Sequence, residues 1–184
     1  QWGLQSPGQS LTFGRMIADS RTSVAFTGHR TYRGAAADAL RRTVGELYAR
    51  GFRNFLSGMA VGFDLAAAEA VLELRERAPG VRLVAAVPFR GQEMRFSPAD
   101  RERFRRVLAE ADSVEVLAPA YHRGCYAVRN DFLVDNARVL VAWYDGSPGG
   151  TRYTVRRALG RGLEVVNLCP AAPVPPAPEP TLFG

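Results

Sequence analysis

Apolar and polar positions alternate along this chain in blocks that predict a regular succession of strands and helices. Short, β-branched apolar runs indicate strands, and longer amphipathic stretches that end at Gly or Pro indicate helices. The predicted strands cover residues 23–27, 53–56, 81–87, 114–117, 139–144 and 163–168. The predicted helices cover residues 35–50, 63–78, 97–111, 126–136 and 151–161. This alternation with short connections predicts an α/β fold, a Rossmann-like three-layer sandwich with a mainly parallel sheet.

The two ends of the chain depart from this pattern. We expect a flexible N-terminal segment over residues 1–20, the Rossmann-like domain over 21–169 and a Pro-rich tail over 170–184. Met16 is a candidate natural start, which would make the preceding residues upstream sequence. At 184 residues in all, the chain is long enough to form one domain with a stable core.

Composition narrows the class of protein. The chain is 47% hydrophobic and 23% charged, values typical of a globular domain. No apolar run approaches the roughly 20 residues that a membrane span needs, and no signal-peptide pattern opens the sequence. We therefore expect a cytoplasmic protein with no membrane partner. Cys125 and Cys169 lack metal-ligand or redox spacing, so two unpaired thiols and no metal site are expected.

The charge of the chain is carried in an unusual way, since all 24 basic residues are Arg and the net charge is +6. The planar guanidinium suits bidentate phosphate recognition. A coding bias towards Arg explains the same count, and Arg101, Arg103, Arg105 and Arg106 are expected on a solvated helix face. The charge permits a nucleic-acid partner without favouring one.

The candidate chemistry lies in loops that follow predicted strands, where Rossmann-like sheets bind ligands. Two of these loops, Ser57–Asp64 and Asp145–Thr151, join a strand to a helix through several glycines. Glycines let the backbone approach a ligand, and free N–H groups at a helix start attract an anion. A Pro-Gly turn without a ligand remains the alternative for the second loop taken alone. Together the two loops predict a nucleotide or another phosphorylated ligand.

Several motifs, in order, resemble the YpsA-like branch of the SLOG superfamily. They are Phe26–Arg30, Ser57–Asp64, Pro88-Phe89 with Gln92, Arg129–Asp135 and Pro148–Thr151, within about residues 23–168. The resemblance implies a Rossmann-like fold that binds nucleotides or nucleotide-derived ligands. In some branches such proteins sense NAD- or ADP-ribose-related signals, and the resemblance also implies a homo-oligomer.

Two other branches of that superfamily share parts of this sequence. Ser57–Asp64 is similar to the Ser-Gly-x-Ala-x-Gly-x-Asp loop of DNA-processing protein A. Arg129 and Pro148–Thr151 are similar to the LONELY GUY phosphoribohydrolase motif, an Arg with a Pro-Gly-Gly-x-Gly-Thr-x-x-Glu loop. The loop here is shorter and lacks the glutamate, which argues against phosphoribohydrolase activity.

The expected ligand-binding residues are Thr27, Gly28, His29, Arg30, Ser57, Gly58, Gly62, Asp64, Phe89, Arg129, Asp145, Gly149, Gly150 and Thr151. Phosphates are expected on the 149–151 loop, helped by Arg129 and Arg30. The ribose and base are expected towards Ser57, Asp64 and Phe89, with Tyr121 and Tyr126 as further stacking candidates.

Each of these assignments has a structural alternative. Asp64 suits the first turn of a helix whatever its role, because the helix dipole favours an acid there. The Ser57 hydroxyl can satisfy local backbone groups, and Asp145 can orient its turn by an Asx-type bond. Surface ion pairs are the alternative role for Arg30 and Arg129.

Three functions follow from these residues. The favoured one is binding or sensing of a nucleotide or an NAD- or ADP-ribose-derived ligand; we assign no other cofactor and no catalytic residue. The second is cleavage of an N-glycosidic bond, with Asp64, Asp131 or Asp145 replacing the missing glutamate. The third is single-stranded DNA binding, which predicts an affinity that falls steeply with salt.

Overall fold

The computed structural model describes residues 19–170. The expected N-terminal segment, the candidate start at Met16 and the Pro-rich tail therefore lie outside the described residues, apart from Asp19, Ser20 and Pro170.

The described part alternates strands and helices throughout. The strands are β1 Ser23–Gly28, β2 Asn54–Ser57, β3 Arg82–Val87, β4 Ser113–Val116, β5 Val139–Trp143 and β6 Glu164–Asn167. The helices are α1 Ala37–Ala49, α2 Phe63–Arg75, α3 Pro98–Glu110, α4 Cys125–Asp135 and α5 Gly150–Gly160. Each predicted strand and helix is confirmed, with bounds that shift by a few residues. Two short 3-10 turns, Ser20–Thr22 and Gln92–Arg95, were not predicted.

The six strands form one sheet in the order β4-β3-β2-β1-β5-β6, and every neighbouring pair is parallel. The chain therefore builds outwards from β1 to β4, returns beside β1 through α4, and continues to β6. Helices α1, α2 and α3 pack together on one face of the sheet and α4 and α5 on the other, as the right-handed rule for parallel crossovers predicts. This is the expected Rossmann-like sandwich, and the order of strands reverses between β1 and β5.

Alternate residues of the central strands supply the two halves of the core. In β5, Val139 and Val141 join the core cluster that contains residues of α1, α2 and α3. Leu140 and Ala142 join the cluster that contains residues of α4 and α5. All four are fully buried, because a parallel strand covered on both faces has no solvent side.

The start of α2 packs unusually close to the end of β1. A Cβ atom on Gly28 would lie 2.4 Å from Cβ of Phe63, the first residue of α2. Phe63 is fully buried and contacts Tyr32 edge-on at 5.3 Å. Gly28 is therefore needed for this approach, which brings the start of α2 against the end of β1.

The lengths of the helices and the state of the two cysteines complete the description of the fold. Within residues 19–170, no helix combines the length and the apolar character that crossing a membrane requires. Cys125 and Cys169 are free thiols, and both are buried.

Candidate functional site

Segments that are distant in sequence meet where β1, β2 and β5 end. The His29 ring after β1 contacts Asp145 after β5, with 2.7 Å between Nε2 and Oδ1. The carbonyl oxygen of His29 also accepts a hydrogen bond from the backbone N–H of Phe63, at 3.4 Å. Arg129 of α4 donates to the carbonyl oxygen of Gly58 in the β2–α2 loop. The structure thus gathers residues that sequence reasoning placed in separate loops.

The β2–α2 loop is fixed by its own side chains. The Ser57 hydroxyl donates to the carbonyl oxygen of Asp64 at 2.9 Å and accepts from the N–H of Met59 at 3.2 Å. A Cβ on Gly62, which has φ of +84°, would lie 2.7 Å from the carbonyl oxygens of His29 and Arg30. The loop therefore packs tightly under the β1–α1 connection, and the Ser57 hydroxyl serves the loop itself.

A buried ion pair lies beneath this loop. Arg129 Nη1 is 4.0 Å from Asp64 Oδ2, and both side chains are more than nine-tenths buried. The N–H of Ala60 donates to Oδ2 at 3.4 Å, whereas Oδ1 has no hydrogen-bond partner among the described residues. Burial raises the pKa of Asp64 to about 6, although the charge of Arg129 opposes the shift. Burial also lowers the pKa of Arg129, again against the effect of Asp64.

The donors of Arg129 are directed inwards. Besides the bond to Gly58, its Nε donates to Oδ1 of Asn130 at 2.7 Å. A Cβ on Gly58 would lie 2.6 Å from Nη1, so the glycine makes room for the guanidinium. In this structure Arg129 is thus a positioning residue that joins α4 to the β2–α2 loop.

The glycine-marked start of α2 is closed by the backbone. The N–H groups of Phe63 and Leu65 donate to the carbonyl oxygens of His29 and Ala60, at 3.4 and 3.2 Å. An anion at this helix start would have to displace backbone acceptors. Of the two helix starts that the sequence predicted as anion sites, α2 is therefore the less open.

The start of α5 is different. Its preceding residue, Gly149, has φ of +137° and provides no side-chain cap. The N–H groups of Gly150, Thr151 and Arg152 meet no acceptor within residues 19–170, and the first bond of the helix runs from Tyr153 to Gly149. These three N–H groups are the donors that a helix start presents to an anion.

The turn before α5 is held from two directions. Asp145 Oδ1 accepts from the backbone N–H of Ser147 at 2.9 Å and from its hydroxyl at 2.6 Å. This confirms the Asx-type bond, and these hydrogen bonds lower the pKa of Asp145. His29 Nε2 also lies 3.2 Å from the backbone N of Asp145, so β1 and β5 together orient the turn.

Asn130 connects the β2–α2 loop to the start of α5. Its Oδ1 is held by Arg129, and a Cβ on Gly150 would lie 3.6 Å from its Nδ2. Sequence reasoning did not select Asn130, although it follows Arg129 directly. Thr151, which it did select, is the second residue of α5 and is largely buried. Thr27 is also buried, at the end of β1 beside β5.

The aromatic candidates form a separate cluster beyond β3. The Phe89 ring is 3% exposed and contacts the rings of Tyr121 and Tyr126 edge-on, at 5.5 and 5.8 Å. Tyr121 is 52% exposed, so it presents far more ring surface than Phe89. Arg30 is exposed and lies 5.1 Å over the Tyr126 ring, and Arg95 covers Tyr121 at 4.3 Å. Sequence reasoning did not select Arg95.

The fold and the loops at the carboxyl ends of the strands define the class of this protein. It is a Rossmann-like α/β protein, with its glycine-containing loops at the carboxyl edge of the sheet, where the strand order reverses. The chain belongs to the YspA SLOG family, whose family model matches residues 25–162. The UPF0398 protein of Bacillus thuringiensis (strain Al Hakam) is 29% identical over 132 residues, 70% of this chain and 71% of that protein. A UPF0398 protein of Bacillus cereus (strain G9842) is 28% identical over 137 residues, 73% and 74% of the two chains.

Solved structures support the same fold. DNA processing protein A from Streptococcus pneumoniae superimposes with a TM-score of 0.58 at 19% identity, over 79% of this chain and 49% of that one. DNA processing protein A from Helicobacter pylori, described for its binding of single-stranded DNA, superimposes with a TM-score of 0.58 at 17% identity. The match covers 79% of this chain and 65% of that one. This chain thus spans about half of the first protein and less than two thirds of the second.

Proposed function

We propose that this chain binds a nucleotide or an ADP-ribose-type ligand at the carboxyl edge of its sheet, with a phosphate on the first turn of α5. The observation that carries the proposal is the set of open N–H groups at Gly150, Thr151 and Arg152. The dipole of α5 adds to their attraction for an anion. The turn before them is already fixed by Asp145 and His29, so binding costs little ordering of the backbone.

Two further groups suit the rest of such a ligand. Within residues 19–170, Asp64 Oδ1 is a buried carboxylate oxygen with no hydrogen-bond partner of ordinary geometry, although the Gly28 backbone helps to lower the pKa of the group. An unsatisfied buried acceptor is costly. A ribose hydroxyl is a donor of the kind that this oxygen lacks, and acidic residues take that role in other Rossmann-like sites. Because this oxygen is buried, such a contact requires the β2–α2 loop to move when the ligand binds. Arg30 supplies an exposed cation beside this edge of the sheet.

The test is native mass spectrometry of the full chain after incubation with AMP, ADP-ribose or NAD. We expect an intact nucleotide to be retained on the folded protein without turnover. If the folded protein retains none of the three at millimolar ligand, the proposal is wrong. Recording released base in the same samples separates binding from cleavage.

Cleavage of an N-glycosidic bond is the second candidate, and the pKa of Asp64 is the observation that favours it. A pKa of about 6 suits a group that must gain or lose a proton near neutral pH. Asp131 is instead engaged by the Tyr153 hydroxyl at 2.6 Å. Free base that accumulates with wild-type protein, and not with Asp64→Asn, would establish this alternative.

Single-stranded DNA binding is the third candidate. It draws on the single-stranded DNA binding of the Helicobacter pylori protein and on the net charge of +6 of this chain. Backbone-dominated binding would weaken steeply between low and physiological salt. Oligonucleotide binding that is absent, or that does not respond to salt, would exclude this candidate.

A further inference from the structure

Arg95 and Tyr121 form a layered pair at the carboxyl edge, which we call the Arg95–Tyr121 stack. The Arg95 guanidinium carbon lies 4.3 Å from the centre of the Tyr121 ring and 5.5 Å from that of Phe89. Buried Phe89 supports the pair from below, whereas Arg95 and Tyr121 are both exposed. A cation thus lies over an aromatic ring at the surface.

A second Arg–Tyr pair in the chain shows what a purely structural stack looks like. Arg53 lies 4.1 Å over the ring of Tyr48 at the opposite edge of the sheet. Its Nη1 donates to the carbonyl oxygens of Tyr48 and Phe52, each at 2.8 Å, and the Tyr48 hydroxyl donates to Pro79 at 3.2 Å. The polar groups of that pair are therefore used within the fold.

The Arg95–Tyr121 stack lacks such partners. Across residues 19–170, the Arg95 guanidinium and the Tyr121 hydroxyl make no hydrogen bond, although the two side chains lie against each other. A guanidinium has five N–H donors in a fixed plane. An exposed aromatic face beside a cation with free donors is suited to a nucleotide, which offers a π face for stacking and oxygens for the donors.

We propose that the Arg95–Tyr121 stack is the base subsite of the ligand, and that this ligand contains a nucleoside diphosphate unit. The inference rests on the proposed function, since it takes the start of α5 as the phosphate site. The base adds a layer to the stack, and the donors of Arg95, which point past a stacked base, remain for oxygens of the attached ribose or pyrophosphate.

The separation of the two subsites sets the length of the ligand. Phe89 follows β3 and Gly150 follows β5, and three strand intervals separate β3 from β5 in the sheet. At the usual spacing these intervals amount to about 14 Å. A nucleoside monophosphate is too short to place its base and phosphate at both ends of that distance. A pyrophosphate-linked ligand, of which ADP-ribose is one, is long enough.

The first turns of α4 line the path between the subsites. Tyr126 contacts Phe89 at 5.8 Å, and Asn130 adjoins Gly150. Four helical residues advance by about 6 Å, so this segment covers a little under half of the distance. Arg30 lies over Tyr126, which puts a cation beside the expected course of the pyrophosphate.

The experiment is calorimetric titration of the full chain with ADP-ribose, AMP and ribose 5-phosphate. The variants are Tyr121→Ala, Tyr121→Phe and Arg95→Ala, and Arg105→Ala removes the same charge from the solvent face of α3 as a control. We expect Tyr121→Ala to weaken ADP-ribose binding about 5- to 150-fold, the usual range for loss of one stacked base. Tyr121→Phe and Arg105→Ala should bind like wild type, and ribose 5-phosphate should not respond to Tyr121→Ala.

The outcomes separate the two proposals. Unchanged ADP-ribose affinity in both Tyr121→Ala and Arg95→Ala would overturn the base subsite and leave the proposed function intact. If Tyr121→Ala weakened ribose 5-phosphate as much as ADP-ribose, the variant would have a general structural defect. That result would also overturn the base subsite. AMP that binds as tightly as ADP-ribose would overturn the diphosphate requirement. Wild-type protein that binds none of the three would overturn the proposed function itself.

Discussion

Arg129 donates a hydrogen bond to the carbonyl oxygen of Gly58, a residue 71 positions earlier in the chain. The bond joins the α4 side of the sheet to the β2–α2 loop on the other side. The same guanidinium holds Asn130, which adjoins the start of α5. One buried side chain therefore sets the positions of two loops at the carboxyl edge, which keeps the edge ordered before a ligand arrives.

Removing Arg129 should destabilise the protein strongly. Arg129→Ala leaves the Asp64 carboxylate buried without its cation and the Gly58 carbonyl without its donor. Breaking a buried pair in this way typically costs about 3–5 kcal/mol in the free energy of unfolding. Urea denaturation followed by circular dichroism measures the loss.

The double variant Asp64→Asn, Arg129→Gln is the matched control, because it removes both charges and keeps polar groups at both positions. We expect its loss to be smaller than the sum of the losses measured for Asp64→Asn and Arg129→Gln separately, since the pair is coupled. A single Arg129→Ala variant as stable as wild type would contradict the structural role assigned here.

Asp64 should make stability depend on pH in an identifiable window. Its pKa is about 6 in the folded protein and near the ordinary value of 3.8 when unfolded. Between about pH 4 and pH 6 the folded state therefore holds a proton that the unfolded state has released, so stability falls as pH rises. The loss is complete above pH 6 and amounts to about 3 kcal/mol.

Asn at position 64 cannot ionise, so Asp64→Asn isolates this effect from that of other carboxyls. From pH 4 to pH 7, the unfolding free energy of the wild type should fall relative to that of Asp64→Asn. Denaturant titrations at several pH values measure it. A difference that stays constant with pH would mean that folding does not raise the pKa of Asp64.

The fold was predictable because its signals are local. The β-branched run of β5 and the glycine stops after the helices each lie within a few residues, so sequence alone located the elements. The bond from Asp145 to Ser147 was predictable for the same reason.

The site was less predictable because it depends on distant packing. The inward direction of Arg129 follows from where α4 crosses the sheet, and the burial of Phe89 follows from the Tyr121 loop. Arg95 ends a 3-10 turn that no periodicity indicated. These are consequences of the assembled structure.

Two glycines should respond oppositely to the same substitution. Gly28→Ala places a methyl group 2.4 Å from Phe63, a buried ring that has little room to move. Overpacking of this kind costs about 1–3 kcal/mol. Gly45→Ala, inside α1 with no atom within 4 Å of the added methyl, should instead stabilise by up to about 1 kcal/mol. Thermal unfolding of both variants tests the pair, and a destabilised Gly45→Ala or a neutral Gly28→Ala would contradict it.

A charge at Gly150 should separate helix stability from ligand binding. Gly150 is exposed at the first position of α5, and a Cβ there makes only an ordinary 3.6 Å contact with Asn130. Gly150→Asp therefore fits, and its carboxylate interacts favourably with the helix dipole, so the thermal midpoint should hold or rise. The same carboxylate repels a phosphate on the first turn. The affinity for AMP or ADP-ribose should therefore fall about tenfold or more, which corresponds to about 1.4 kcal/mol.

The control is Gly150→Asn, which has the same shape without the charge and should keep most of the affinity. Equal binding by the Asp and Asn variants would place the phosphate elsewhere on the carboxyl edge.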